Sequence, residues 1–327
     1  MKTIAFMSAR GGVGKTSLIY HLAHMLPRLG YPTLAVDLDP QATLSSMFFD
    51  DAQLRAAWDR DTGTVFSCIA PLFSEEGQVH PPEPQPIEDS LWGLMGSPSL
   101  WELEAPLANA WMECHARSPF ALGVLSAFAQ VLKQAGESTK SAVALIDLGA
   151  GPGALNRAAL LASDCLVFPL VVDTFAVPGL KVIGSAVRQW REEWKQLRAL
   201  NQEAPVELPE GHMSPVGYTV LRTDARRGAR FVSHAADAAE VPFSYAVNVL
   251  GTASFDPIED DPNCLSVLRN YASLMSMARE ARAPMFDLTP STGALGSYAQ
   301  LVRYCHDEYE LLARRLVDRC GLVKPSA

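Results

Sequence analysis

Ser8-Ala9-Arg10-Gly11-Gly12-Val13-Gly14-Lys15-Thr16-Ser17 decides the fold of this chain. An apolar, β-prone run, Thr3-Ile4-Ala5-Phe6-Met7, precedes it, and from Leu18 to Leu26 apolar residues recur at helical spacing. Strand, glycine loop and helix in that order are the context of a phosphate-binding loop. The pattern G-x-x-x-x-G-K-[ST] is incomplete at its first position, where Ala9 stands. The physics of the loop survives. Gly11, Gly12 and Gly14 permit positive φ, so successive N–H groups can converge on phosphate oxygens. The helix start adds free N–H donors and partial positive charge. Residues Gly11, Gly12, Val13, Gly14, Lys15, Thr16 and Ser17 thus form the expected phosphate site: Lys15 reaches the β and γ phosphates, Thr16 enters the Mg²⁺ shell, and Ser17 lies near the α phosphate. The competing reading is a glycine turn without a ligand.

Composition sets the outer limits. With 327 residues, 48% hydrophobic and 19% charged, the chain has the mix of an ordinary globular protein with a sizeable core. A net charge of -9 argues against a surface coated in nucleic acid, though not against a local basic patch. Six cysteines without a C-x-x-C pair weigh against a zinc or iron–sulfur site and favour reduced thiols. The N-terminus runs directly into the first strand, and no apolar run approaches membrane-spanning length, so a cytoplasmic location is expected.

A second buried run, Thr33-Leu34-Ala35-Val36, delivers Asp37-Leu38-Asp39-Pro40-Gln41. In an open parallel sheet the ligand lies beyond the carboxyl ends of the strands, so both carboxylates should face the phosphate site. Alternatively, one of them caps the helix starting near Ala42. Together, Arg10 to Thr16 and Asp37 to Gln41 resemble the ParA and MinD group of P-loop ATPases, on the ParA side. That resemblance implies bound ATP and Mg²⁺, with Asp39 orienting or deprotonating the attacking water and Asp37 holding a water of the metal shell. It also implies slow hydrolysis and a nucleotide-dependent homodimer. The family's signature Lys, which reaches the partner's nucleotide, is here Arg10. A planar guanidinium is not a point-like ammonium, and Arg10 would act much as an arginine finger does.

Ala142 to Ile146 reads as a central strand ending at Asp147, the expected Walker B carboxylate and Mg²⁺ partner. The family's Asp-Thr-Pro-Pro is replaced by Asp147-Leu148-Gly149-Ala150-Gly151-Pro152-Gly153, which predicts a looser loop. Phe175 to Leu180 resembles the family's turn into the next helix. On that helix Arg188, Arg191, Lys195 and Arg198 form a basic stripe interrupted by Glu192 and Glu193, for which a solvated face is the plainer reading. After the strand at Tyr218 to Leu221 comes Arg222-Thr223-Asp224-Ala225-Arg226-Arg227-Gly228-Ala229-Arg230. By the resemblance, Arg222 and Thr223 frame the adenine, while Arg226, Arg227 and Arg230 contact nonspecific DNA; docking of a protein, such as a ParB-like partner, and a plain solvated loop are the other readings of this patch. No basic amphipathic tail of the MinD kind closes the chain, so no membrane contact is expected.

The expected architecture is α/β, a doubly wound, mostly parallel sheet with flanking helices. It forms a single P-loop domain over 1–327, with a helical and loop insertion at about 50–135 and an acidic loop at about 252–264. The function that follows is an ATP-driven dimerising switch in DNA partitioning or cargo positioning. Its rivals are a regulatory ATPase that controls a protein without DNA and, more weakly, a small-molecule kinase or synthetase.

Overall fold

A computed structural model describes residues 1–221 and 238–325. Its framework is an eight-stranded sheet in the order β3-β4-β2-β5-β1-β6-β7-β8. The strands are β1 (Lys2–Phe6), β2 (Thr33–Leu38), β3 (Gln85–Glu88), β4 (Leu91–Leu94), β5 (Val143–Leu148), β6 (Cys165–Val171), β7 (Ser214–Leu221) and β8 (Cys264–Leu268). All neighbours run parallel except β3, which pairs antiparallel with β4. The doubly wound fold expected from the sequence is the fold found. Two of its strands, β3 and β4, fall within residues 50–135, so that stretch contributes to the sheet as well as to the helices.

The α-helices whose bounds lie within the described residues are α1 (Lys15–Arg28), α2 (Thr43–Phe48), α3 (Asp51–Arg60), α4 (Val65–Ile69), α5 (Glu104–Glu113), α6 (Pro119–Thr139), α7 (Ala154–Leu161), α8 (Ala176–Leu200), α9 (Ala272–Ala281) and α10 (Ser297–Cys320). Alternation along the strands feeds two cores. Ala5 of β1 and Met7 just after it join residues of α5 to α8 on one face, and Ile4 and Phe6 join α1, α9 and α10 on the other. Strand β5 divides likewise, with Ala144, Ile146 and Leu148 on the first side and Val143 and Leu145 on the second. Being covered on both faces, the central strands have apolar middles, as in Ile4 to Phe6, Leu34 to Val36 and Val143 to Ile146, and Asp37 and Asp147 follow near the carboxyl ends of β2 and β5.

The two flanks of the sheet are finished differently. Strand β3 carries Pro86, and its register shifts between Pro86 and Glu88; Glu88 accepts a hydrogen bond from His24 Nδ1 at 2.9 Å. At the other flank the Arg315 guanidinium donates to the Leu265 carbonyl of β8 at 2.9 Å. Inside the second core, the fully buried His21 donates from Nδ1 to Ser17 O at 2.7 Å and accepts the Met285 N–H at Nε2 at 3.0 Å. It thereby ties the start of α1 to the segment before α10.

Candidate phosphate-binding site

The chain leaves β1 through Met7, whose N–H donates to Val167 O at 3.0 Å, and turns at once into the glycine loop. Gly12 and Gly14 take φ of 77° and 83°, the left-handed region that disfavours a side chain. A Cβ at Gly11 or Gly12 would meet nothing within 4 Å, so the backbone there faces open space. At Gly14 the same Cβ would lie 2.8 Å from Leu221 Cδ1, which packs the far side of the loop against the end of β7. Gly14 also caps α1, with no side chain on the first-turn amides and no acidic residue in that turn. This is a cradle of N–H groups at the positive end of a helix.

Below the cradle lies a buried charge cluster. Lys15 is 7% exposed and its Nζ pairs with Asp147 Oδ1, while Asp147 Oδ2 is buried with no hydrogen-bond partner among the described residues. Strand register places Asp37 of β2 directly beside Asp147 of β5. Burial pushes the Asp147 carboxyl above its ordinary range, against the pull of Lys15 and the Thr16 hydroxyl. Burial, followed by the neighbouring Asp147 charge, pushes Asp37 up to about 7. Two buried carboxylates thus stand side by side and only Asp147 is paired with a lysine, an arrangement short of positive charge. The orphaned Asp147 oxygen, the Thr16 hydroxyl and the open cradle suit Mg²⁺ with a phosphate chain. No three acidic, His or Cys side chains converge as a metal cage among the described residues, so phosphate oxygens and water would have to complete a magnesium shell.

Asp37 has other partners as well. Its Oδ2 accepts from Ser45 N at 2.7 Å and Ser45 Oγ at 2.8 Å, and its Oδ1 accepts from Asp39 N at 3.2 Å. Capping of the following helix, one of the two readings of this carboxylate pair, is therefore what Asp37 does here, although it still stands next to Asp147. Asp39 is half-buried and accepts from Gln41 N at 3.0 Å. Arg10 is exposed; it pairs with Asp173 and lies 5.1 Å from the centroid of the Phe175 ring at the start of α8. At that distance the guanidinium makes a cation–π contact within its own chain.

The loop after Asp147 departs from expectation. Its three glycines predicted looseness, yet it is pinned at several points. Gly151 N donates to Ser8 O at 2.9 Å. The buried Asn156 amide donates to Gly149 O at 3.0 Å and Gly151 O at 2.7 Å. The Glu104 carboxylate accepts from Ala154 N at 2.5 Å and Leu155 N at 2.9 Å. Neither Asn156 nor Glu104 stood out in the sequence. Asn156 did carry a signal, as the one amide side chain among Ala154-Leu155-Asn156-Arg157-Ala158-Ala159-Leu160-Leu161; Glu104 carried none.

On α8, Arg198 is paired with Glu210 through bonds of 2.6 and 2.8 Å, and Arg188 donates to Val247 O at 3.3 Å. The solvated-face reading therefore suits this stripe. Arg222, Thr223, Arg226, Arg227 and Arg230 lie outside the described residues. Among those described, no helix is long and apolar enough to cross a membrane.

Comparison with known proteins agrees with this geometry. Residues 1–199 match the AAA_31 family model, described as an AAA domain. A putative replication protein A of Rhizobium rhizogenes is 50% identical over 48 residues, 15% of this chain and 12% of that protein. The chromosome-partitioning ATPase Soj of Thermus thermophilus is 29% identical over 180 residues, 55% of this chain and 59% of the relative. The chain thus spans only part of the length of these curated relatives. Among solved structures, a Corynebacterium diphtheriae protein superposes with a TM-score of 0.68 at 19% identity over 98% of both chains. A putative plasmid partition protein of Borrelia burgdorferi, bound to AMPPNP, gives 0.58 at 16% identity over 97% of this chain and 99% of that one. The glycine loop, the paired carboxylates at the strand ends and the match over 1–199 lead to one assignment: this chain belongs to the AAA domain family, as a P-loop protein of the ParA and MinD type.

Proposed function

We propose that the chain is one P-loop domain over 1–327, with insertions at about 50–135 and 252–264, that binds Mg²⁺·ATP, dimerises on it and hydrolyses it slowly. The observation that carries this is Lys15 held on a half-unpartnered Asp147 beneath an open cradle of glycine amides. Arriving phosphates give Lys15 a stronger partner, and Gly11 to Ser17 supply the amide and hydroxyl donors. Mg²⁺, held through Thr16 and water at Asp147 with Asp37 nearby, would screen the phosphate charge. Asp39 orients the attacking water and is a weak base there, which keeps turnover slow. Arg10 reaches the nucleotide of a second copy. Arg222 and Thr223 frame the adenine.

Support comes from the AMPPNP bound to the Borrelia neighbour and from the partitioning role in the name of the Thermus relative. The switch then acts in the cytoplasm, positioning DNA or another cargo through Arg226, Arg227 and Arg230 and a ParB-like partner. The net charge of -9 and the internally engaged Arg188 and Arg198 favour a second reading, a regulatory ATPase acting on a protein without DNA. Sedimentation with a nonhydrolysable ATP analogue tests the switch: wild type and Asp39→Ala should both dimerise, the variant persistently with ATP itself. A nucleotide-bound chain that stays monomeric in both forms refutes it. DNA retention with and without ATP then separates the two roles.

A further inference from the structure

We propose that Glu104 and Asn156 are positioning residues that hold the 149–153 loop in register with the far end of a triphosphate, so that the chain distinguishes ATP from ADP through them. The inference rests on the nucleotide reading above and adds two side chains to it. Its basis is where the loop stands. Through the Gly151 N–H bond to Ser8 O it joins the root of the glycine cradle, and a Cβ on Gly149 would lie 3.8 Å from Pro40, the residue after Asp39. The loop thus spans both walls of the site, between the amides that grip phosphate and the carboxylate that faces attacking water.

Asn156 fixes the turn itself. Its amide nitrogen bonds the carbonyls of Gly149 and Gly151, which turns those two acceptors inward, away from a phosphate they would repel. Gly151 has φ of 81°, so it holds the turn without backbone strain. Glu104 fixes the loop's exit. Helix α7 has no capping side chain of its own at Gly153, and the Glu104 carboxylate occupies that end from α5, about fifty residues away. A Cβ at Gly153 would lie 2.9 Å from Glu104 Oε1, so glycine is what admits the carboxylate.

The clamp extends further. The Arg157 guanidinium of α7 lies 4.1 Å from the centroid of the Trp111 ring of α5, and Trp111 Nε1 donates to Glu193 of α8 at 3.2 Å. Side-chain contacts thus connect the loop's exit, α5 and α8. An ordinary helix cap would stabilise the fold without regard to which nucleotide is bound. A clamp on the loop should instead alter the two nucleotides unequally, since on the reading above the far phosphate of a triphosphate is the part that the loop would meet.

The test is calorimetric titration of wild type, Glu104→Gln and Asn156→Ser with Mg²⁺·ADP and with a Mg²⁺-bound nonhydrolysable ATP analogue, accompanied by turnover with ATP. Both substitutions are isosteric or smaller, and ADP affinity kept within about twofold reports an intact site. Analogue affinity and kcat should each fall by about tenfold, the loss expected for a charge-assisted or paired hydrogen bond. An unchanged ratio of analogue to ADP affinity, whether both hold or both fall together, overturns the proposal and leaves a structural cap. A wild-type chain that binds neither nucleotide overturns the parent reading, and this one with it.

Discussion

Lowering the pH should loosen the grip between α1 and the segment before α10 through a single imidazole. His21 is fully buried, 4.9 Å from the Tyr309 ring and 5.7 Å from that of Phe286, and burial pushes its pKa down from 6.5 to about 4. Both ring nitrogens are engaged in the neutral form, so a second ring proton would face the Met285 N–H donor. The depressed value means that the unfolded chain binds a proton between pH 6.5 and 4 while the folded chain does not. Stability from this group is therefore complete above pH 6.5 and lost progressively down to about pH 4. The gap corresponds to about 3 kcal/mol. Asp37 works in the opposite sense. Raised to about 7, it favours the fold at low pH, and that contribution is lost as pH rises from its ordinary value through about 7. The two trends overlap, so the wild-type curve alone conceals both. Urea unfolding of wild type and of His21→Phe, each at pH 7 and pH 4, isolates the imidazole. The variant loses the same bonds at both pH values, but the difference between the two proteins should shrink by about 3 kcal/mol on acidification. Parallel curves would refute the argument.

The other tests bear on the site. Lys15→Met should weaken ATP binding by about 10- to 100-fold through lost charge-assisted bonds, and destabilise the chain by about 3–5 kcal/mol by leaving Asp147 buried without its lysine. Calorimetry reads the first effect and urea unfolding the second, and adding Asp147→Asn should recover stability but not binding. Gly14→Ala should cost about 1–2 kcal/mol in a thermal or urea melt, from its left-handed φ, with the 2.8 Å approach of Leu221 Cδ1 adding to it. Gly11→Ala, whose Cβ projects into open space, should leave the melt nearly unchanged and still impair nucleotide binding, because the methyl group enters the cradle.

Much of this architecture was legible because it depends on local pattern. Apolar runs at Leu34 to Val36, Ala142 to Ile146 and Cys165 to Val172 need both faces covered, which is the condition of a central parallel strand. Asp37 and Asp147 were legible because each is the first polar residue near the carboxyl end of such a run, and Lys15 because it follows the glycine loop at the start of a helical pattern. What escaped notice depends on tertiary pairing. Glu104 reaches α7 from a helix about fifty residues away, and no spacing rule links a lone glutamate to a remote helix end. The 149–153 loop read as loose because glycine content speaks to intrinsic freedom, whereas its rigidity is imposed by Ser8, Asn156 and Glu104. Gln85–Glu88, with Pro86 inside it, carries no apolar run or local pattern that marks a strand. It becomes a strand only by pairing with β4 in an edge position, where Pro86 is tolerated.

That edge has a consequence for solution behaviour. A proline and an irregular register interrupt the ladder of donors on one border, and a guanidinium occupies a carbonyl on the other, so neither border offers a clean template for backbone pairing with a neighbour. Lateral polymerisation into fibrils is discouraged by construction. Two copies meeting at either border would have to use side-chain contacts in place of a shared sheet.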